Sequence, residues 1–332
     1  MTTHIICLAT DGGVVVAQRD NEWRAVRRGL KGQYVTSIVA RKGAILAGTT
    51  VGVFRSRDDG VTWHDANSGL SQRHMRWLAF YPGNPDFVFA GTEPAAIFVS
   101  QDSAGSWQES AEVARLRDQY QWFLPYSSEA GCVRGFAFHG QRGYAAVEVG
   151  GVLRSDDRGI HWQLAEGSNG SPDLAGQAEP FIYPDLHSIQ VHPTSPDLVF
   201  APTGGGFYRS VDGGKIWQRL YNCYCRAAWI DPVDPDHIIL GPADNVEING
   251  RIEETRDGGA TWRLTSDGLS VPWSRHMVER FTQVGTDLFG VLSDGTLVMT
   301  PLATLAWRQI LQDVTGINAI TAVEAEPAES SA

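Results

Sequence analysis

The sequence predicts an all-β protein: a seven-bladed β-propeller of four-stranded blades, its ring closed by a C-terminal strand that completes blade one. Three observations predict it. Short strand-like runs alternate with turn residues along nearly the whole chain, an S-x-D-x-G-x-x-W turn recurs, and seven tryptophans (Trp23, Trp63, Trp107, Trp162, Trp217, Trp262 and Trp307) fall 40 to 55 residues apart. That period suits propeller blades and is too long for helical repeats of about 34 residues.

Taken in order, the first unit lacks an inner strand, since His4-Ile-Ile-Cys-Leu already reads as a second strand. Ile317–Val323 at the other end matches an inner strand, so the two ends are expected to pair and remove the open sheet edges. The turn motif then runs Ser56…Asp58…Gly60…Trp63, Ser155…Asp157…Gly159…Trp162, Ser210…Asp212…Gly214…Trp217 and Thr255…Asp257…Gly259…Trp262. A decayed copy, Ser100…Asp102…Gly105…Trp107, has its glycine one place late, and Trp23 and Trp307 keep little more than the tryptophan. In each copy the Asp carboxylate can accept N–H groups of its own turn, and Gly supplies a positive φ. Trp covers the hairpin and is expected to find a partner for its indole N–H. These aspartates are therefore structural. Around each motif lie three further strands, as in Trp77–Phe80, Phe87–Thr92 and Ile97–Ser100, giving four per blade. Residues 1–323 form the propeller on this reading, and 324–332 an acidic, disordered tail.

Composition limits the function classes. The 332 residues are 42% hydrophobic and 20% charged, with 36 Gly, 16 Pro and 11 Trp, which fits a globular protein with a sizeable core. Against 38 Asp and Glu stand 27 Lys and Arg, a net charge of −11 without a basic run. No nucleic-acid footprint is expected. There is no apolar run of spanning length and no signal-peptide pattern at MTTHIICLATDGG, so the expectation is a cytoplasmic protein without a membrane partner. Four cysteines make no disulfide framework; Cys223 and Cys225, a lone C-x-C, read as two thiols near a strand start.

With these motifs in view, the chain resembles the Asp-box (BNR-repeat) β-propellers over about residues 4–323. The style of Ala90-Gly-Thr-Glu93-Pro, Glu148–Ser155 and Asp185–Pro193 is similar to bacterial propeller proteins labelled sialidase-like or glycosyl hydrolase. The resemblance implies the architecture and leaves the activity open among sialidases, xyloglucan-active glycosidases, sortilin-type receptors and photosystem II assembly factors. A sialidase needs six blades and an F/Y-R-I-P element; seven units and no R-I-P are present, so true sialidase activity is not expected.

The extra sequence, at 111–132, 171–185 and 242–252, maps to the face where inner strands begin, opposite the repeated turns. Function gathers on such loops. At the head of the inner strands a column reads Thr36, Arg76, Arg134, His187, Arg226, Glu279 and Asn318, and a neighbouring column reads Thr49, Glu93, Glu148 and Thr203. Arginine forks suit carboxylate or phosphate, so Arg76, Arg134 and Arg226 are expected to clamp an anionic or sugar-like small molecule. Glu148 or Glu93 with His187 can serve as general acid and base if the low-dielectric mouth moves their pKa values toward neutrality. His187 with the two glutamates can alternatively hold a divalent metal. The bland alternative is that Arg76–Glu93 and Arg134–Glu148 are ion pairs within blades.

The insert around Trp122 and Tyr126 either stacks on a ligand or anchors its own loop; Trp77 and Trp273 share that ambiguity. His139, His161 and His192 read as structural, and Thr203–Gly206 as a turn. No nucleophile elbow, nucleotide fingerprint or H-E-x-x-H is present. Two functions of different class follow: a pocket enzyme, hydrolytic in the glycosidase manner or a metal-assisted lyase, and a non-catalytic scaffold whose loop face, Trp122 included, docks a partner protein.

Overall fold

Seven four-stranded antiparallel sheets make up the ring, and the computed structural model describes residues 4–41, 43–174 and 181–323. The expected tail 324–332 and part of the 171–185 insert lie outside the described residues. Blade one is built from both ends: Ile317–Val323 is its inner strand and pairs with His4–Thr10, followed by Gly13–Arg19 and Trp23–Gly29. The other inner strands begin at Val35, Met75, Cys132, Gln190, Tyr224 and Val278. Among the described residues no helix is long and apolar enough to cross a membrane.

Each second and third strand is nearly all buried because it faces a neighbouring blade on both sides, so it reads as a continuous apolar run such as Val14–Ala17 or Ala145–Val147. An apolar cluster fills each gap between adjacent blades, including the closing gap, where Ile6 and Leu8 meet Phe289, Val291 and Met299.

The repeated turn folds as its residues predict. Ser56 Oγ accepts the Gly60 N–H at 2.8 Å and donates to Asp58 Oδ1 at 2.8 Å, while Asp58 Oδ1 accepts the Thr62 N–H at 2.8 Å. The copies at Ser155, Ser210 and Thr255 repeat this. The decayed copy keeps the same turn without a shift: Ala104, at φ 64°, occupies the glycine place and donates to Ser100 Oγ. One expectation needs correcting. The indoles of Trp107, Trp162 and Trp307 donate to backbone carbonyls, but those of Trp23, Trp63, Trp217 and Trp262 are buried with no partner among the described residues. Aromatic area outweighs the unmade bond there.

The 111–132 insert, expected to be a loop, contains the helix Ala111–Tyr120. It turns at Gln121 in the left-handed region, and this drives Trp122 into the core, where its indole donates to the Gly170 carbonyl. Gly150 lies under that ring because a Cβ would stand 2.9 Å from it.

Candidate functional site at the channel mouth

The residues at the mouth are aimed by a backbone device repeated around the ring. In six blades the pairing of inner and second strands slips by one residue, after Val35, Met75, Val133, Cys225, Val278 and Ile317. In blade five the bridge Leu186↔Thr203 and the pair Gln190↔Phe200 differ by the same step. Such bulges re-aim a side chain out of the pleat. The residues that follow the slip are Thr36, Arg76, Arg134, His187, Arg226, Glu279 and Asn318, the whole of the first column. The second column is mixed. Thr49 and Thr203 align with Thr92, one place before Glu93, and each closes its own hairpin through Oγ1 (2.9 Å to Gly52 O; 2.8 Å to Gly206 O). Glu93 and Glu148 share the next position.

A cavity of about 630 Å³ opens at this mouth, within the range of small-molecule sites. Its charged lining is Arg76, Arg134, Arg226 and Arg280 against Glu148, Asp185 and Glu279. Three arginines are neutralised. Arg134 reaches Glu148 at 3.0 Å and Glu279 at 3.6 Å, Arg226 bonds Glu279 and lies 3.6 Å from Glu247, and Arg76 lies 3.4 Å from Glu93. The expected ion pairs within blades are thus present, and Glu279 links Arg134 across blades to Arg226. Arg280 stands apart. Its guanidinium lies 4.0 Å over the Trp77 ring and donates to the Thr36 carbonyl, with no carboxylate in reach among the described residues. Burial first, then the charges of Arg134 and Arg76 against the opposing charge of Glu279, push it down to about 9, which still leaves a cation at neutral pH.

Glu148 is 3% exposed. Burial opposes its charge, but Arg134, His187 and the Cys132 thiol outweigh that and hold the carboxyl at about 2. The expectation of a carboxyl poised near neutrality is therefore corrected: Glu148 stays ionised because a guanidinium touches it. Glu93, also buried, accepts from Ser127 Oγ at 2.9 Å and lies outside the cavity lining. His187 is buried, with Nδ1 2.9 Å from the Cys225 carbonyl; an oxygen there can only accept, so Nδ1 carries the proton. Nε2 is left facing the Tyr224 hydroxyl at 3.2 Å and Asp185 Oδ1 at 3.3 Å.

Arg76, Arg134, Arg226, Glu148 and Tyr126 all line the cavity, with His187 behind Asp185 and Tyr224. Trp122 does not; it is part of the core beneath the insert. Trp273 is likewise core, whereas Trp77 carries Arg280. His192 and His139 bond backbone carbonyls, and His161 bonds Asp157 of its own turn. Asp185, Tyr224 and Arg280 were not singled out from sequence. The alternations Asp185-Leu-His187 and Tyr224-Cys-Arg226 were the available signal, since residues two apart in an extended chain share a face. Arg280 had none, because only ring closure brings it beside Trp77.

The fold has solved counterparts. An ancestral GH74 enzyme superposes with a TM-score of 0.61 at 16% identity, over 92% of this chain and 40% of that one. The GH74 xyloglucanase from Xanthomonas campestris gives 0.61 at 17%, over 94% and 47%. YCF48 bound to D1 peptide gives 0.58 at 13%, over 95% and 92%. At these identities the likeness is one of fold, and this chain spans less than half of either GH74 enzyme. No protein-family model and no curated protein matches the sequence.

Proposed function

We propose that this protein is an Asp-box propeller whose channel mouth binds a small anionic, polyhydroxylated molecule. The observation that carries the reading is Arg280, a half-buried cation on the cavity wall with no carboxylate at ion-pair distance among the described residues, beside three arginines that have theirs. A carboxylate or phosphate entering there gains a charge-assisted contact in a low-dielectric site, and the hydroxyl and carboxylate groups of Tyr224, Asp185 and Glu279 suit the remaining hydroxyls. If the pocket is catalytic, the Asp185–His187–Tyr224 chain favours proton abstraction, as in a lyase. Glycoside hydrolysis needs a protonated acid, and Glu148, held ionised, does not supply one.

Thermal shift tests the reading. Uronic acids or sugar phosphates at about 100 times their dissociation constant should add roughly 2.7 kcal/mol and raise the melting temperature by several degrees. Neutral sugars should not, and Arg280→Gln should abolish the effect. Equal response to neutral sugars, or a response that survives Arg280→Gln, rejects it.

A partner-docking role, the second reading, rests on the exposed Phe123, Tyr126, Phe181, Val246 and Ile248 on the inserts of the same face. Trp122 cannot serve it, being buried. This reading expects a partner to bind wild type and to be lost on Phe123→Ser with small-ligand binding intact.

A further inference from the structure

Beyond anion binding, we infer that Glu148, Asp185 and His187 form a site for one divalent cation of the Mn²⁺ or Zn²⁺ kind, with open coordination positions toward the channel cavity. One ligand atom from each of these three residues lies within 4.8 Å of the other two. His187 Nε2 and Asp185 Oδ1 are already 3.3 Å apart, the spacing of two ligands on bonds of about 2.1 Å, so only a small rotation of Glu148 is needed to complete the set. The backbone brings the set together across a blade boundary. Glu148 at the end of blade four's second strand forms an isolated antiparallel bridge with Asp185, and the alternation of the extended chain then places His187 on Asp185's side.

The surroundings have the features of a supported site. The Nδ1–H of His187 is held by the Cys225 carbonyl, which fixes the ring and presents Nε2, the arrangement commonly found behind metal-ligating histidines. Gly204 leaves space for the Asp185 carboxylate: a Cβ there would stand 2.2 Å from Oδ2. Charge points the same way. Arg134 neutralises Glu148, but Asp185 has no Lys or Arg within ion-pair reach among the described residues, and its one such contact is the His187 ring. A carboxylate pair backed by a single arginine retains negative charge that a divalent ion offsets. Glu148 and Asp185 both line the cavity, so the ion would share it with any ligand held by Arg280. Imidazole beside two carboxylates suits Mn²⁺ or Zn²⁺ better than Ca²⁺, which takes oxygen ligands. The hydrogen bond from Tyr224 to Nε2 is the contact the ion replaces.

The test is Mn²⁺ titration of chelator-treated full-length protein in chloride buffer, followed by the loss of the free-ion electron paramagnetic resonance signal. No organic anion is present, so the outcome is independent of Arg280 and of the anion reading. One ion per chain is expected, with affinity lowered more than about tenfold by Asp185→Asn and by His187→Gln, and unchanged by Glu22→Gln at a remote exposed acid. Circular dichroism melts confirm that the near-isosteric Asp185→Asn protein is folded. Absence of stoichiometric binding up to millimolar Mn²⁺ overturns the inference. So does binding that persists unchanged in folded Asp185→Asn and His187→Gln, which would assign it to surface carboxylates.

Discussion

The aspartates of the repeated turns show how one residue can be chemically prominent without being catalytic. Asp58, Asp102 and Asp257 each accept an N–H and a hydroxyl from the residue four places on, and these bonds hold their carboxyls at about 2. A folded-state value depressed from 3.8 contributes stability that is fully present above pH 4 and is lost as pH falls toward 2. The urea midpoint should therefore drop steeply between pH 4 and 2, and Asp257→Asn should reduce that slope; a flat profile would show that the turns do not contribute. The pattern S-x-D-x-G was sufficient to predict these bonds because every partner lies within four residues. For Glu148 local reasoning failed, because the charge that sets its ionisation is Arg134, fourteen residues away and delivered by strand pairing.

At the scale of the element, the inner-strand bulge organises the site. It adds one residue per blade at the same level and turns that residue toward the channel. One buried apolar residue in each blade, from Val35 round to Ile317, precedes the bulged position. Aligning the blades therefore recovered the first column even without knowledge of the bulge. The second column failed by one place because Thr49 and Thr203 close hairpins while Glu93 and Glu148 lie just beyond theirs. Glu279 is the bulge residue that joins two blades, bonding both Arg134 and Arg226. Glu279→Gln should lower stability by about 3 kcal/mol, the low end for a broken buried pair, since each arginine keeps another acid. Chemical denaturation measures this, and a loss below about 1 kcal/mol would show the network to be solvated.

For the whole molecule, closure is the main energetic fact. The final strand contributes buried Ile317 and Ile320 to the gap between blades seven and one and Ala319 to the gap between blades one and two, and it covers the free edge of His4–Thr10. Deleting 317–323 removes roughly 5 kcal/mol of burial, which at about 2 °C per kcal/mol should lower the melting temperature by about 10 °C or more and broaden the transition. Differential scanning calorimetry would show it; an unchanged, sharp transition would mean that closure is dispensable.

Blade number, strand order, the turn chemistry and the bulged arginines were all legible in the chain itself, since periodicity and short-range hydrogen bonding determine them. The link that Glu279 makes between Arg134 and Arg226, the isolation of Arg280 over Trp77, the retreat of Trp122 into the core and the meeting of Asp185 with Glu148 were decided by tertiary structure alone. The physical reason is range. Turn bonds and strand alternation act within a few residues, whereas the charge state and access of the channel mouth depend on side chains from different blades, whose distances exist only once the ring has closed.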